Sequence, residues 1–284
     1  MGCLVSRRTY LEQLTGESLR LWPEVSNAMT SIYISNKRHV WKVCRGDSTS
    51  MREIFMNNYR VKRLPANPYI VQPNKLIKID DESIAICMEH KPMDLYTFVQ
   101  TPFELAAAWN GLRDVAHGIA WMHAKGLAHR DVKPENICLD ERVFCLIDFD
   151  FSTPLGDFRY CGTPNYVVPR DISCTWTCSD RQKSMRYDVY AFGKCVLYIF
   201  CSAATMGLVD HLDHVYGLYD AAHIPPDSVN PFDGVEREWM DVAVACCRRE
   251  PPSVIPLTAP TLTAKDSAAR VALPKMVHAD QVVA

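Results

Sequence analysis

The sequence predicts an α+β protein of two lobes, a small, mostly antiparallel-sheet lobe over about residues 21–89 and a larger, mostly helical lobe over about 90–250. Three observations carry this expectation. Short β-branched and aromatic runs separated by turn residues fill the first third of the chain, with one helical stretch among them. Helical periodicity dominates after residue 100. Between two such helical stretches, residues 129–150 form a run of charged residues and short apolar strands.

In chain order, residues 31–45 (SIYISNKRHVWKVCR) read as a hairpin turning at Asn36-Lys37-Arg38, with Lys42 on its second strand. From Ser48 to Leu64, Met51, Ile54, Phe55, Tyr59 and Val61 lie at near-helical spacing until Pro65 and Pro68 stop the pattern. Glu53 lies on this helix. Residues 69–88 supply two further strands, YIVQPNKLIKI and SIAICM, separated by the acidic turn Asp80-Asp81-Glu82. Thr101-Pro102-Phe103-Glu104 reads as a capping box with Pro at the first helical position, since the Thr hydroxyl and the Glu carboxylate can satisfy first-turn amides. The helix it opens has Leu105, Ala108, Leu112, Val115, Ile119 and Met122 on one face and ends at Gly126. Two strands, ICL and FCLID, follow. Tyr187 to Phe200 is apolar nearly all round, as expected of a helix inside a lobe. Residues 1–20 form an N-terminal segment, and residues 251–284, rich in Pro, Ala and Thr without a sustained period, are expected to be a disordered tail.

The 284 residues, 48% hydrophobic and 23% charged, fit an ordinary globular protein. With a formal charge of −2 and no dominant Lys/Arg run, no nucleic-acid partner is expected. Most of the twelve cysteines lie inside apolar strand or helix patterns, and no secretory signal precedes them. Buried free thiols in a reducing, cytoplasmic setting are therefore expected. Cys174, Cys178, Cys246 and Cys247 lack zinc-ligand spacing. There is no 18-residue apolar run to span a membrane. Met1-Gly2-Cys3-Leu4-Val5-Ser6 does fit the N-myristoylation pattern, with Cys3 placed for palmitoylation and Arg7-Arg8 adding positive charge. Peripheral membrane association through acylated Gly2 and Cys3 stands as one expectation and an accidental start sequence as the other. The sequence carries no mark of oligomeric state.

The chemistry is concentrated in residues 129–150, HRDVKPENICLDERVFCLIDFD. His129, Arg130, Asp131, Lys133, Asn136, Asp148 and Phe149 match a catalytic loop and metal site at fixed spacing. Seven such matches arise by chance at roughly one in 10^9 per starting position on flat residue odds, which sets aside a plain loop of solvated charges. The chain thus resembles a eukaryotic-type protein kinase, and the resemblance runs from about residue 30 to 250.

The resemblance implies a bilobal kinase-like fold, with ATP and Mg2+ as cofactors and a protein as substrate. It implies that Asp131 accepts the substrate hydroxyl proton, that Asn136 and Asp148 hold Mg2+, and that Lys133 sits against the transferred phosphate. Lys at position 133 implies Ser/Thr substrates. Lys42, in the context Val40-Trp41-Lys42-Val43, matches the lysine that contacts the α- and β-phosphates, and Glu53 is the only carboxylate on the following helix in reach of pairing with it. Ile86 to Leu95 looks like the hinge, so backbone groups of Glu89 and Lys91 would meet adenine and Asp94 could reach a ribose hydroxyl. Cys161 to Pro169 resembles the peptide-docking end of an activation segment. Asp188 to Gly193 resembles the helix start whose Asp orders the catalytic loop.

Four departures accompany the match. No glycine occurs between Gly16 and Gly46, where a Gly-rich phosphate loop should precede Lys42, so the turn falls to residues such as Ser26, Asn27 and Ala28. Asp150 replaces the Gly after Phe149; it adds charge near the metal site and could act as a further ligand. Arg170 stands where kinases place Glu, and Val254 falls near where its Arg partner belongs. A remodelled large lobe, with Arg170 answered by a carboxylate, is the expectation. Arg159 occupies the usual phosphosite, which leaves Ser152, Thr153 or Tyr160 as candidates, or no switch. The reading is a Ser/Thr protein kinase; the alternative is a catalytically impaired pseudokinase acting as a binding or scaffold module.

Overall fold

The computed structural model describes residues 6–23, 26–140, 143–225, 228–232 and 234–257. Gly2 and Cys3, the expected acylation sites, lie outside them.

A short helix precedes the sheet. Ser6 caps α1 (Arg7–Thr15) by accepting from the Thr9 amide, and Gly16 ends it at φ +64. Leu11 of this helix is fully buried among Leu19, Trp41, Val43, Ala85 and Cys87. The buried Glu17 accepts from Trp41 Nε1 at 3.0 Å and lies 3.1 Å from His39 Nδ1. Through Leu11 and Glu17, residues ahead of position 21 pack against the sheet.

The strands are β1 (Leu19–Leu21), β2 (Thr30–Ser35) and β3 (His39–Arg45), then, after α2 (Ser48–Lys62), β4 (Lys75–Asp80) and β5 (Ser83–Glu89). They form one antiparallel sheet in the order β1-β2-β3-β5-β4. The β2–β3 hairpin turns at residues 36–38 with Arg38 at φ 60, and its register sets Lys42 opposite Ile32 on one side and Ile86 on the other. Asp47 caps α2 by accepting from Thr49 N and Ser50 N. The stretch from Tyr69 is shorter as a strand than its composition suggested. Pro73 cannot join a ladder, so only Lys75–Asp80 pairs with β5, while Ile70 forms a parallel bridge to Leu146.

The large lobe follows. It contains β6 (Met93–Asp94), α3 (Leu95–Phe98), α4 (Leu105–Ala124), β7 (Leu127–Ala128), a 3-10 turn (Pro134–Asn136), β8 (Ile137–Asp140), β9 (Val143–Leu146) and β10 (Thr153–Pro154). Four helices complete it: α5 (Arg170–Ser173), α6 (Asp180–Thr205), α7 (Leu212–Asp220) and α8 (Gly234–Cys246). The expected capping box at Thr101 is not formed. Glu104 occupies the N-cap of α4 without a side-chain bond, and Thr101 Oγ1 instead donates to Phe98 O at 3.0 Å. A true capping box opens α6, where Ser179 and Gln182 exchange bonds. Gly111 lets α4 approach β9, since a Cβ there would stand 2.4 Å from the Phe144 ring.

The core of this lobe runs from Val61 and Ile70 through α4 and α6 to Trp239 and Cys247. Of the expected tail, Pro251 is buried, and Ile255 and Leu257 pack against this core. The rest of it, residues 258–284, lies outside the described residues. No helix among the described residues is long and apolar enough to cross a membrane.

Candidate active site

The catalytic-loop segment is held from behind by α6. Asp188 accepts from the amides of His129 at 2.8 Å and Arg130 at 2.7 Å, and its third contact is His123 Nε2 at 2.8 Å. Burial alone would push the Asp188 carboxyl up, but the bond to His123, the nearby His129 and the Arg130 amide hold it below its ordinary range. These two amide bonds fix a backbone that Arg130 adopts at φ 71, a left-handed conformation that disfavours any side chain. His129 extends the brace. Its Nε2 meets Ile147 O at 3.0 Å, its Nδ1 accepts from Asp131 N at 3.3 Å, and its ring lies 5.2 Å from that of Phe149.

Asp131 is buried in a network that leaves neither oxygen unpartnered. Oδ1 accepts from Thr163 N at 2.9 Å and Thr163 Oγ1 at 2.7 Å, and Oδ2 accepts from Asn136 Nδ2 at 3.0 Å with Lys133 Nζ 3.3 Å away. Lys133 also donates to Thr163 Oγ1 at 2.8 Å. Thr163 can approach because Gly162, at φ +109, passes where a Cβ would meet Arg130 O at 2.7 Å.

Opposite this network, Lys42 reaches across from β3. Its ammonium lies 2.8 Å and 2.7 Å from the two oxygens of Asp148, and 2.8 Å from Asp150 Oδ2. Two carboxylates thus share one ammonium. Burial would lower Lys42, yet the two Asp charges raise it well above its usual range. Burial would likewise raise Asp148, and Lys42 holds it below the ordinary carboxylate range, whereas burial and the Asp148 charge push Asp150 up. Helix α2 completes the cluster: Asn57 Nδ2 donates to Asp150 O at 2.7 Å and Asn58 Nδ2 to Asp150 Oδ1 at 2.8 Å.

Several expectations meet corrections here. Glu53 does not pair with Lys42; it points outward, 45% exposed, and bonds Arg159 Nη1 at 3.0 Å. It stands five residues before Asn58, which is roughly 140° around the helix, so the inward position belongs to Asn58. Among the described residues, no carboxylate forms an ion pair with Arg170. It is exposed and lies over the Tyr160 ring at 5.7 Å, where a solvated guanidinium needs no counter-charge. Ser152 and Thr153 are buried, and Thr153 Oγ1 accepts from Arg130 Nη1 at 3.1 Å, which leaves Tyr160 as the exposed member of the three phosphosite candidates.

The remaining predicted residues line the junction of the lobes. Glu89 ends β5, Lys91 follows two residues later with its ammonium on Glu89 and Asp140, and Asp94 caps α3 by accepting from Thr97 N at 2.7 Å. In the β1–β2 connection, where phosphate-loop amides belong, several amides of the described residues already have local partners. Asn27 Oδ1 accepts from Met29 N and Thr30 N at 2.9 Å, and Ser26 Oγ accepts from Ile32 N at 2.9 Å. A cavity of about 550 Å3 between α2 and β4, lined by Met51, Phe55 and Lys78, contains none of these groups and plays no part in this site.

Residues 27–255 match the protein kinase domain family. The chain belongs to that family. A protein of Acanthamoeba polyphaga mimivirus, whose provisional name is serine/threonine-protein kinase R436, is 31% identical over 169 residues, 54% of this chain and 59% of its own length. The cGMP-dependent protein kinase, isozyme 1, of Drosophila melanogaster is 40% identical over 75 residues, 25% of this chain and 10% of its own length. The dual serine/threonine and tyrosine protein kinase of Gallus gallus is 33% identical over 123 residues, 42% of this chain and 12% of its own length. The chain thus spans less than two thirds of each of these relatives.

Kinase domains use ATP and a divalent metal, and the donors of this kinase domain suit both. A hard divalent cation takes one or two carboxylates together with phosphate oxygens. Asp148 and Asn136 supply oxygen donors, and two acids against one ammonium leave the Lys42 cluster with an uncompensated negative charge. Residues that sequence reasoning missed are Asn57, Asn58 and Thr163; nothing local in the sequence marks an Asn on a helix as the partner of an acid about 90 positions away.

The Asp188 brace makes a prediction. Asp188→Asn should destabilise the domain by about 1–3 kcal/mol at neutral pH by weakening buried bonds. Because the carboxyl is held low in the folded state, its stabilisation is complete above the ordinary carboxylate range and is lost as pH falls below about 4. Denaturant midpoints of parent and variant should therefore converge on acidification; a gap that widens in acid would refute the assignment.

Proposed function

We propose that this kinase domain transfers the γ-phosphate of Mg-ATP to Ser or Thr hydroxyls of protein substrates. The observation that carries this reading is the Asp131–Lys133–Asn136–Thr163 network of the large lobe together with the pair that Asp148, after β9, makes with Lys42 of the small lobe.

Such transfer needs placement and charge neutralisation more than covalent help. Asp131 would take the substrate hydroxyl proton, a reading supported by the Thr163 hydroxyl resting 2.7 Å from it. Lys133, 2.8 Å from that hydroxyl, supplies positive charge where the transferred group would pass. Lys42 would hold the nucleotide phosphates, and Asn136 and Asp148 would hold Mg2+. When bound, the metal neutralises charge on the phosphate oxygens. Backbone groups at Glu89 and Lys91 and the Asp94 carboxylate face the nucleoside in this reading. The relatives' names, which include serine/threonine-protein kinases, support the substrate class.

The pseudokinase reading draws on the β1–β2 connection, whose Met29, Thr30 and Ile32 amides already have partners. Phosphotransfer from labelled ATP to a Ser/Thr peptide separates the two. Asp131→Asn should lower kcat by about 10^2–10^4-fold while Mg-ATP binding persists; equal incorporation by parent and variant would remove Asp131 from the chemistry.

A cytoplasmic location is also proposed, supported by the eleven free cysteines among the described residues. So is peripheral membrane association through acylated Gly2 and Cys3. Arg7 and Arg8 add little to it, because Arg7 pairs with Asp80 at 3.3 Å and Arg8 with Glu12 at 3.2 Å. Fractionation tests it: Gly2→Ala should leave the membrane fraction, and an unchanged distribution would contradict acylation.

A further inference from the structure

In the family motif the residue after Phe149 is Gly, and in this chain it is Asp150. The geometry points to Asp150 as a positioning residue that replaces the missing helix carboxylate: it holds Lys42 extended toward the nucleotide phosphates and ties helix α2 to that lysine. The inference rests on the nucleotide-binding reading above.

Four observations converge on it. Asp150 Oδ2 lies 2.8 Å from Lys42 Nζ, while Oδ1 accepts from Asn58 Nδ2 at 2.8 Å. Both carboxylate oxygens thus carry protein donors, one from each side, which suits a bridge better than an additional metal ligand. Asn58 is 1% exposed and occupies the inward face of α2, the face from which Glu53 is turned away. An amide there offers a donor without charge, so Asn58 cannot neutralise an ammonium but can hold the acid that does. Asn57 Nδ2 fixes the Asp150 carbonyl at 2.7 Å, so two successive α2 side chains grip the same residue.

Charge arithmetic explains why a second acid is needed. Asp148 presents both oxygens to Lys42, and those oxygens are the ones a metal site must use. With Asp148 as the sole partner, lysine and acid would close into a neutral pair that serves neither phosphate nor metal. Asp150 supplies a counter-charge that remains on Lys42 independently of Asp148. The counter-charge for Lys42 therefore comes from the segment after β9, and α2 contributes the Asn58 amide that holds it.

Calorimetric titration with Mg-ADP and, separately, adenosine tests the nucleotide part, using Asp150→Gly, the isosteric Asp150→Asn and the double variant Asp150→Gly/Asn58→Glu. Both single variants should weaken Mg-ADP about tenfold, or about 1.4 kcal/mol, and leave adenosine unchanged. The double variant, which returns a carboxylate to α2, should recover most of the loss. Unchanged or tighter Mg-ADP binding would overturn the inference, as would an equal loss for adenosine, since that marks a general structural role. Hydrogen exchange of residues 48–62 without nucleotide tests the tether independently. Faster exchange in both single variants supports it, and unchanged exchange overturns it. Parent protein that binds no Mg-ADP would refute the nucleotide reading, while the exchange result would still judge the tether.

Discussion

A buried ammonium has to be paired where it lies, and in this protein that requirement joins the two lobes. Lys42 and Asp150 each keep 13% of their side-chain surface, so water screens little of the charge between them, and leaving either unpaired would cost several kcal/mol. Lys42 comes from β3 and both acids come from the segment after β9, 106 and 108 positions away in the chain. The sheet and the helical lobe are therefore held in the register that satisfies this cluster, and α2 is drawn into the same register through Asn57 and Asn58.

A second set of constraints stands behind the first. The catalytic loop and the segment after β9 each contain a non-glycine residue in left-handed backbone, Arg130 at φ 71 and Asp148 at φ 63. Such conformations cost of order 1–3 kcal/mol each and persist only where surrounding bonds over-determine them. Asp188 supplies those bonds at Arg130, and Lys42 supplies them at Asp148. His129 joins the two strained positions, with its ring between Asp131 N and Ile147 O. Strain, pairing and placement of the reacting groups thus belong to one connected unit. The Arg130 guanidinium completes the unit, buried over the Phe158 ring at 5.9 Å with Nη1 on Thr153 Oγ1.

What could be read from the sequence was local. The 129–150 motif, the β2–β3 hairpin and α2 each announce themselves within about twenty residues, because turn chemistry, periodicity and fixed motif spacing are short-range signals. Failures occurred where a distant partner decided the outcome. Glu53 was the only acid on its helix, but side-chain direction within α2 is set by burial of Met51, Asn58 and Val61, and that turns position 53 to solvent. The bonds of Asp150 were not legible because Lys42 and Asn58 are remote in sequence. The packing of the N-terminal segment was not legible because one buried Leu11 and one buried Glu17, anchored on Trp41 or its neighbours, are too few to show periodicity. Arg170 needed no acid because its position is exposed, which composition does not reveal.

If the Lys42 cluster is the working centre of a nucleotide site, ligand should stabilise the fold through that lysine. A thermal titration with Mg-ATP measures this directly. At about 100 times its dissociation constant, Mg-ATP should stabilise the parent by roughly 2.7 kcal/mol, and a Lys42→Met variant, folded but without the ammonium, should show a much smaller shift at the same concentration. Equal shifts in parent and variant, or none in the parent, would contradict the assignment.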